Sequence, residues 1–243
     1  MMNRTETFPA ASTGTLSVRL SAASLEVCSD DVDEIIVQVT GDDDSEDDLR
    51  LTCASGHLTV QQPLTGLLSG HAAALQVSVR LPLSWKGAAE LHTVTGAIRV
   101  QGLSGSDLSC VTVSGPIDAA GLCGITVTFR TVSGELRAED VSADRLTLRT
   151  VTGSASVNSA VFPSVRARSL TGDISLGFAG AFDRMTASSL SGTVSVALPA
   201  PEADVTLRSL SGRIRTDGGI ALRGGGSRLC ARTLTGDLEL IGI

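Results

Sequence analysis

The sequence predicts an all-β solenoid, and three observations predict it: a motif that recurs at near-constant spacing, apolar residues that alternate around each copy, and a near-absence of aromatic side chains. The motif stands at "RTVSGELR" (Arg130–Arg137) and again at "RTVTGSAS" (Arg149–Ser156). Aligned on its glycine it occurs eight times, at Gly96, Gly115, Gly134, Gly153, Gly172, Gly192, Gly212 and Gly236, with intervals of 19, 19, 19, 19, 20, 20 and 24 residues. A fixed period of this length is the signature of a repeat architecture.

Five columns around these glycines are apolar. Two residues before the glycine stand Val94, Val113, Val132, Val151, Leu170, Leu190, Leu210 and Leu234. The columns two and four residues after it run from Ile98 and Val100 to Leu238 and Leu240, and those seven and five before it run from Ala89 and Leu91 to Leu229 and Ala231. Of the forty positions only Thr216 is polar, far beyond what a chain of 42% hydrophobic residues produces by chance. Spacing by two is the side-chain period of a strand. The apparent change of phase between the fifth and second positions predicts a bend there, with the glycine as a second soft point where backbone can turn or bulge. Each unit is then one coil of short strands, and coils stacked in register bury an aliphatic ladder that none could bury alone.

Residues 89–243 are therefore expected to form about eight coils of 19–24 residues. Residues 1–88 are expected to form an irregular N-terminal β region that caps them, the whole making one continuous domain. "GTLSVRL", "EIIVQV", "LRLTC", "GHLTV" and "LQVSVRL" are its alternating strand candidates. At the other end, "LELIGI" carries no polar cap. Leu238, Leu240 and Ile241 are thus expected to offer an apolar surface for end-to-end self-association.

Composition narrows function by exclusion. Aromatic residues are 2% of the chain, with one Trp (Trp85) and no Tyr, which argues against stacking clefts for sugars or bases. A net charge of −7 argues against general nucleic-acid binding. The run "GDDDSEDDLR" (Gly41–Arg50) reads as a solvated acidic loop, since counted from Asp42 the sixth and twelfth positions, where an EF-hand loop needs Gly and Glu, hold Asp47 and Cys53. "DGGIALRGGGS" in the longest interval reads as an enlarged loop, without the nonapeptide pattern of calcium-binding β-rolls. Cys28, Cys53, Cys110, Cys123 and Cys230 are odd in number and lack a CxxC pair, so free thiols are expected, Cys110 buried in a core column and Cys230 facing outward. No metal, cofactor or catalytic set is indicated. The histidines are scattered, and no HExxH, P-loop or nucleophile elbow occurs. The N-terminus lacks the apolar stretch of a secretory signal and no run is long enough to span a bilayer, so the sequence reads as cytoplasmic, with no direct membrane insertion. Envelope association would need a segment outside it.

The motif [ST]-[VL]-[ST]-G-x-[ILV]-x-[VLA], following "GTLSV" and "VRLP" segments, resembles the bacterial putative-adhesin domain family from about residue 8 onward. The resemblance implies a repeat β-solenoid and an interaction role. It carries no catalytic residues to transfer.

One outward column stands out. Four residues before the glycine are His92, Val111, Arg130, Arg149, Arg168, Ser188, Arg208 and Arg232, five arginines on an acidic chain. Two readings follow: the stems cover a coil corner and pair with acids such as Glu135 and Asp173, or the stripe binds an anionic polymer. The hydroxyl columns three and one residues before the glycine are expected to bond corner backbone rather than form an ice-binding face. The leading reading is a non-catalytic, adhesin-like interaction module with an unknown protein or anionic polymer as partner. A scaffold stacking end to end is the alternative, and a polysaccharide-active β-helix, which would need a close carboxylate pair, is a third.

Overall fold

The computed structural model describes residues 2–41, 49–62, 75–180, 182–199, 204–217 and 227–242. Most of the acidic run and most of "DGGIALRGGGS" lie outside them. Among the described residues there are 23 β-strands, one 3-10 turn at Ala10–Ser12 and no α-helix, so none is long and apolar enough to cross a membrane. The chain divides into two compact units, Met1–Gly124 and Ile125–Ile243.

Unit 1 contains β1 (Met2–Phe8), β2 (Thr15–Leu20), β3 (Ser24–Asp30), β4 (Ile35–Gly41), β5 (Arg50–Ala54), β6 (His57–Gln61), β7 (Gln76–Pro82), β8 (Ala88–Thr93), β9 (Ile98–Gln101), β10 (Ser104–Thr112) and β11 (Ile117–Ala120). They form two sheets, β1-β4-β7-β3-β9-β11 and β5-β6-β2-β8-β10. Rung-to-rung pairing is parallel, as in β10 on β8 and β11 on β9. Antiparallel strands enter only at one end, where β1 pairs β4, β4 pairs β7 and β5 pairs β6. Two side chains fasten this region. Gln62, buried, accepts the Ser21, Ala22 and Ala23 N–H groups at the β2–β3 corner with its Oε1 at 3.0, 3.2 and 3.4 Å. Trp85 donates its ring Nε1–H to the Thr13 carbonyl at 2.8 Å.

Unit 2 takes up the chain within β12 (Cys123–Thr131) and continues with β13 (Leu136–Glu139), β14 (Ser142–Arg149), β15 (Ala155–Ala160), β16 (Ser164–Arg168), β17 (Ile174–Phe178), β18 (Arg184–Ser189), β19 (Val194–Leu198), β20 (Asp204–Ser209), β21 (Ile214–Asp217), β22 (Arg228–Thr233) and β23 (Leu238–Gly242). Its sheets run β13-β15-β17-β19-β23-β21 and β12-β14-β16-β18-β22-β20. Pairing here is parallel and residue-for-residue: Leu146 faces Val165, Val165 faces Met185, and Met185 faces Leu229. Four of the five sequence columns are thus the physical ladders of the core, buried to within a few per cent in unit 2 except on β20 and β21.

Two expectations change. The final rung, β22 and β23, is inserted between β18/β19 and β20/β21, so the stack ends on the rung before it in sequence. Leu238 and Leu240 are consequently buried between β19 and β21 and cannot be the terminal surface assigned to them; only Ile241 of that trio is exposed. Parallel rungs with interchangeable columns can stack in any order their connections permit, and the 24-residue interval before Gly236 is the longest.

The second change concerns the corner. The aliphatic column two before the glycine does not face the core: Val113, Val132, Val151, Leu170, Leu190, Leu210 and Leu234 are all exposed. The hydroxyl one step earlier points inward instead, with Thr93, Thr112, Thr131, Thr150, Ser189 and Thr233 buried. The strand therefore keeps its phase through the seventh, fifth and third positions, and the turn follows. A buried hydroxyl survives there because the turn supplies its partner: the Oγ of Thr112, Thr131, Ser189 and Thr233 accepts the N–H of its own glycine at 2.8–3.0 Å. The exposed hydroxyl column bonds the rung below, as in Thr152 to the Val132 carbonyl. Both hydroxyl columns do bond corner backbone, and they lie on different faces. The glycine is required for stacking, since a Cβ on Gly153 would sit 2.0 Å from the Gly134 carbonyl oxygen and one on Gly192 2.2 Å from that of Gly172.

Candidate functional site: an arginine face on unit 2

The sheet β12-β14-β16-β18-β22-β20 turns one side to the core and the other outward. Its inward positions are the apolar ladders, so period two assigns the outward ones to the eighth, sixth and fourth residues before each glycine. The predicted stripe is there, with Arg149 directly facing Arg168, Ser188 facing Arg232, and Arg232 facing Arg208. Arg130 lies on β12 beside β14. Spatial order follows the rung insertion, so Arg232 precedes Arg208 along the stripe.

Four further arginines share this face: Arg145, Arg184 and Arg228 eight residues before their glycines, and Arg166 six before. Reading only one outward column missed them; extending the same period upstream finds them. Across the six rungs the eighteen outward positions hold nine arginines, seven Ser or Thr, Cys230 and a single carboxylate, Asp204. None is aliphatic or aromatic. Nine of the chain's nineteen Lys and Arg residues are thus gathered on one sheet face of a protein with net charge −7.

Their electrostatic state differs from that of the opposite sheet. There, Arg137 forks onto Glu135 at 2.9–3.0 Å and Arg215 reaches Glu239 at 3.6 Å. Among the described residues none of the nine outward arginines forms a salt bridge. The carboxylates expected to neutralise the stripe are engaged elsewhere, Glu135 by Arg137 and Asp173 as the acceptor of the Thr193 N–H at 2.7 Å. Arg149–Arg168, Arg184–Arg228 and Arg232–Arg208 are like-charge pairs in directly facing positions, an arrangement that is unfavourable unless the charges are solvated or an anion intervenes. At one end the face dips into a depression of about 210 Å³, lined among others by Arg184, Arg228, Thr186, Thr206, Asp204 and Cys230.

The remaining candidates carry less. Cys110 is buried in its core column, and burial pushes its thiol up to about 12. Cys230 lies in an outward row and is half-buried, while Cys53 and Cys123 are exposed. Among the described residues no group of His, Cys, Asp and Glu could hold a metal ion.

Parallel rungs on two sheets, an aliphatic ladder and a glycine at one corner of each repeat define a β-solenoid-like repeat protein. The chain belongs to the Toastrack DUF4097 family, whose model matches residues 13–223. It is similar in fold to a putative adhesin from Bacteroides fragilis (12% identity, TM-score 0.62, covering 99% of this chain and 97% of that one). A putative lipid binding protein from Parabacteroides distasonis (13%, 0.64, 98% and 96%) and a putative adhesin from the same organism (13%, 0.57, 99% and 97%) are alike to a similar degree. At these identities the likeness is one of fold. No curated protein matches the sequence.

Proposed function

We propose that the protein is a binding module whose arginine face engages an extended anionic polymer. One observation carries this reading: nine arginines on one sheet face, none of them ion-paired among the described residues, while the arginines of the opposite sheet in the same unit are paired. Arginine suits the role because its planar fork grips carboxylate, phosphate or sulfate oxygens two at a time. The hydroxyls interleaved with it supply further donors. The regular rungs, about 4.8 Å apart, space the guanidiniums along a line, as a chain of repeating charges requires. Lack of aromatic side chains on the face disfavours base stacking, and lack of aliphatic ones disfavours insertion into lipid. Asp204 is the one carboxylate among the eighteen outward strand positions, which favours binding over acid–base hydrolysis by a carboxylate pair.

The test is retention on an immobilised sulfated polysaccharide such as heparin, with vesicles rich in anionic lipid as a separate arm. Binding should weaken steeply with salt, and Arg149→Ser with Arg168→Ser should reduce affinity by roughly tenfold or more. Unchanged binding in the double variant, or binding to vesicles alone, would reject the polymer reading.

A further inference from the structure

Among the described residues the terminal rung of unit 2 is chemically unfinished. Inside the stack the ladder residues are covered, as Leu229 at 1% and Ala231 at 2% exposure show, whereas Val205 and Leu207 in the same columns are only half-buried. Leu210, at 79%, is the most exposed large apolar side chain among the described residues, and Ile214 beside it stands at 47%. Among the described residues β20 pairs on one side only, with β22. The Asp204 N–H donates to the Ser227 carbonyl on that side at 2.8 Å. Backbone groups alternate along a strand, so those of Thr206 and Arg208 turn the same way, and the N–H and C=O of Val205 and Leu207 point to the edge that no described strand pairs.

We propose that this edge pairs with β20 of a second copy of the chain, antiparallel and centred on Thr206, to give a closed two-fold dimer. In that register Val205 lies opposite the partner's Leu207, and the two exchange both backbone hydrogen bonds. Two-fold symmetry repeats the exchange, four bonds in all, each from a group that now faces the open edge. Thr206 meets its own copy on the axis. Asp204 falls opposite the partner's Arg208 in a non-hydrogen-bonded pair, the kind in which side chains stand closest. Asp204 already faces Arg228 across β22 within its own chain, without a salt bridge among the described residues, and antiparallel self-pairing would give it a second arginine at each of two symmetry-related points. Val205 and Leu207 of the second copy would extend the apolar ladder over the exposed ends of the first. Because the paired edges belong to one sheet, the outward rows of both copies lie on one surface, which lengthens the arginine face.

Sedimentation equilibrium of the intact chain tests this. The 24.9 kDa chain is expected at twice its mass. Asp204→Arg and Arg208→Asp, each placing like charges opposite one another at two symmetry-related points, should each weaken the dimer by roughly tenfold. The combined D204R/R208D chain restores opposite charges and should recover the dimer. Both substitutions are at exposed positions, and an unchanged β-sheet circular dichroism spectrum confirms folding of each variant. A strictly monomeric wild type overturns the proposal. So does growth beyond two copies with concentration, which marks an open head-to-tail contact. A dimer indifferent to all three variants also overturns it.

Discussion

The two units close their stacks differently. Unit 1 ends on antiparallel strands, β1 against β4 and β5 against β6, and holds its corner with Gln62 and the Trp85 indole, groups that belong to no repeat column. Unit 2 ends on β20 and β21, a rung of ordinary repeat sequence with parallel pairing and half-covered apolar residues. The difference separates two tasks. Repeat chemistry propagates a stack, whereas ending one takes residues outside the pattern, or another molecule.

The largest test of this contrast compares glycines. A Cβ on Gly236 would stand 2.1 Å from the Gly192 carbonyl oxygen inside the stack, and one on Gly212 1.8 Å from that of Gly236 at its end. Gly236→Ala is expected to cost about 3 kcal/mol or more in urea unfolding of unit 2. Gly212→Ala should cost only about 1 kcal/mol despite the shorter contact, because the end rung can lift away. Equal costs would show that the end rung is as firmly held as the interior.

Gln62→Leu removes the acceptor of three N–H groups at the unit 1 corner and should destabilise that unit by about 1–3 kcal/mol. Hydrogen exchange should show the loss at Ser21, Ala22 and Ala23 before it appears elsewhere.

Alkaline pH probes the interior of unit 1. Burial raises the Cys110 thiol from 9.0 to about 12. The folded value lies above the unfolded one, so this group's contribution is fully present below pH 9 and is lost as pH rises towards 12. Cys110→Ala should flatten the alkaline decline in stability, and in the wild type Ellman's reagent should label exposed Cys53 and Cys123 well before Cys110.

The smallest effect concerns the return corners. Gly102 and Gly121 occupy left-handed backbone in unit 1, at φ +63° and +64°, while the equivalent positions in unit 2 are Asp140 and Ser159, at +51° and +52°. Ser159→Gly should stabilise unit 2 by about 0.5 kcal/mol, the relief of a strained residue offset partly by backbone entropy. Gly121→Ala should do the opposite in unit 1.

Much of this architecture is legible in the sequence because a solenoid repeats its physics. Four of the five apolar columns are core ladders, and Cys110 is buried where its column places it. The fifth column misleads for a definite reason: Val132 and its equivalents are apolar yet ride on a turn, while Thr131 one step earlier looks polar but is buried with its hydroxyl bonded to Gly134 N–H. Hydropathy alone cannot separate these, since the turn supplies the hydrogen bond that makes a buried threonine acceptable. The arginine column was visible, but its depth was not, because Arg145, Arg166, Arg184 and Arg228 do not recur in every rung. Rung order was invisible for a different reason. Leu229 faces Met185 on one side and Val205 on the other, so the apolar columns alone do not mark which rung is last.

That equivalence matters when the chain is made. Synthesis releases β20 and β21 before β22 and β23, and until Arg228 emerges the surface of β18 and β19 is open to the only rung at hand. Stacking there satisfies the same columns, so any such early pairing must be given up before the native order is reached. Co-translational folding of unit 2 therefore cannot finish by simple addition at its growing end. In the native stack β22 and β23 stand as a wedge between rungs that precede them in the chain.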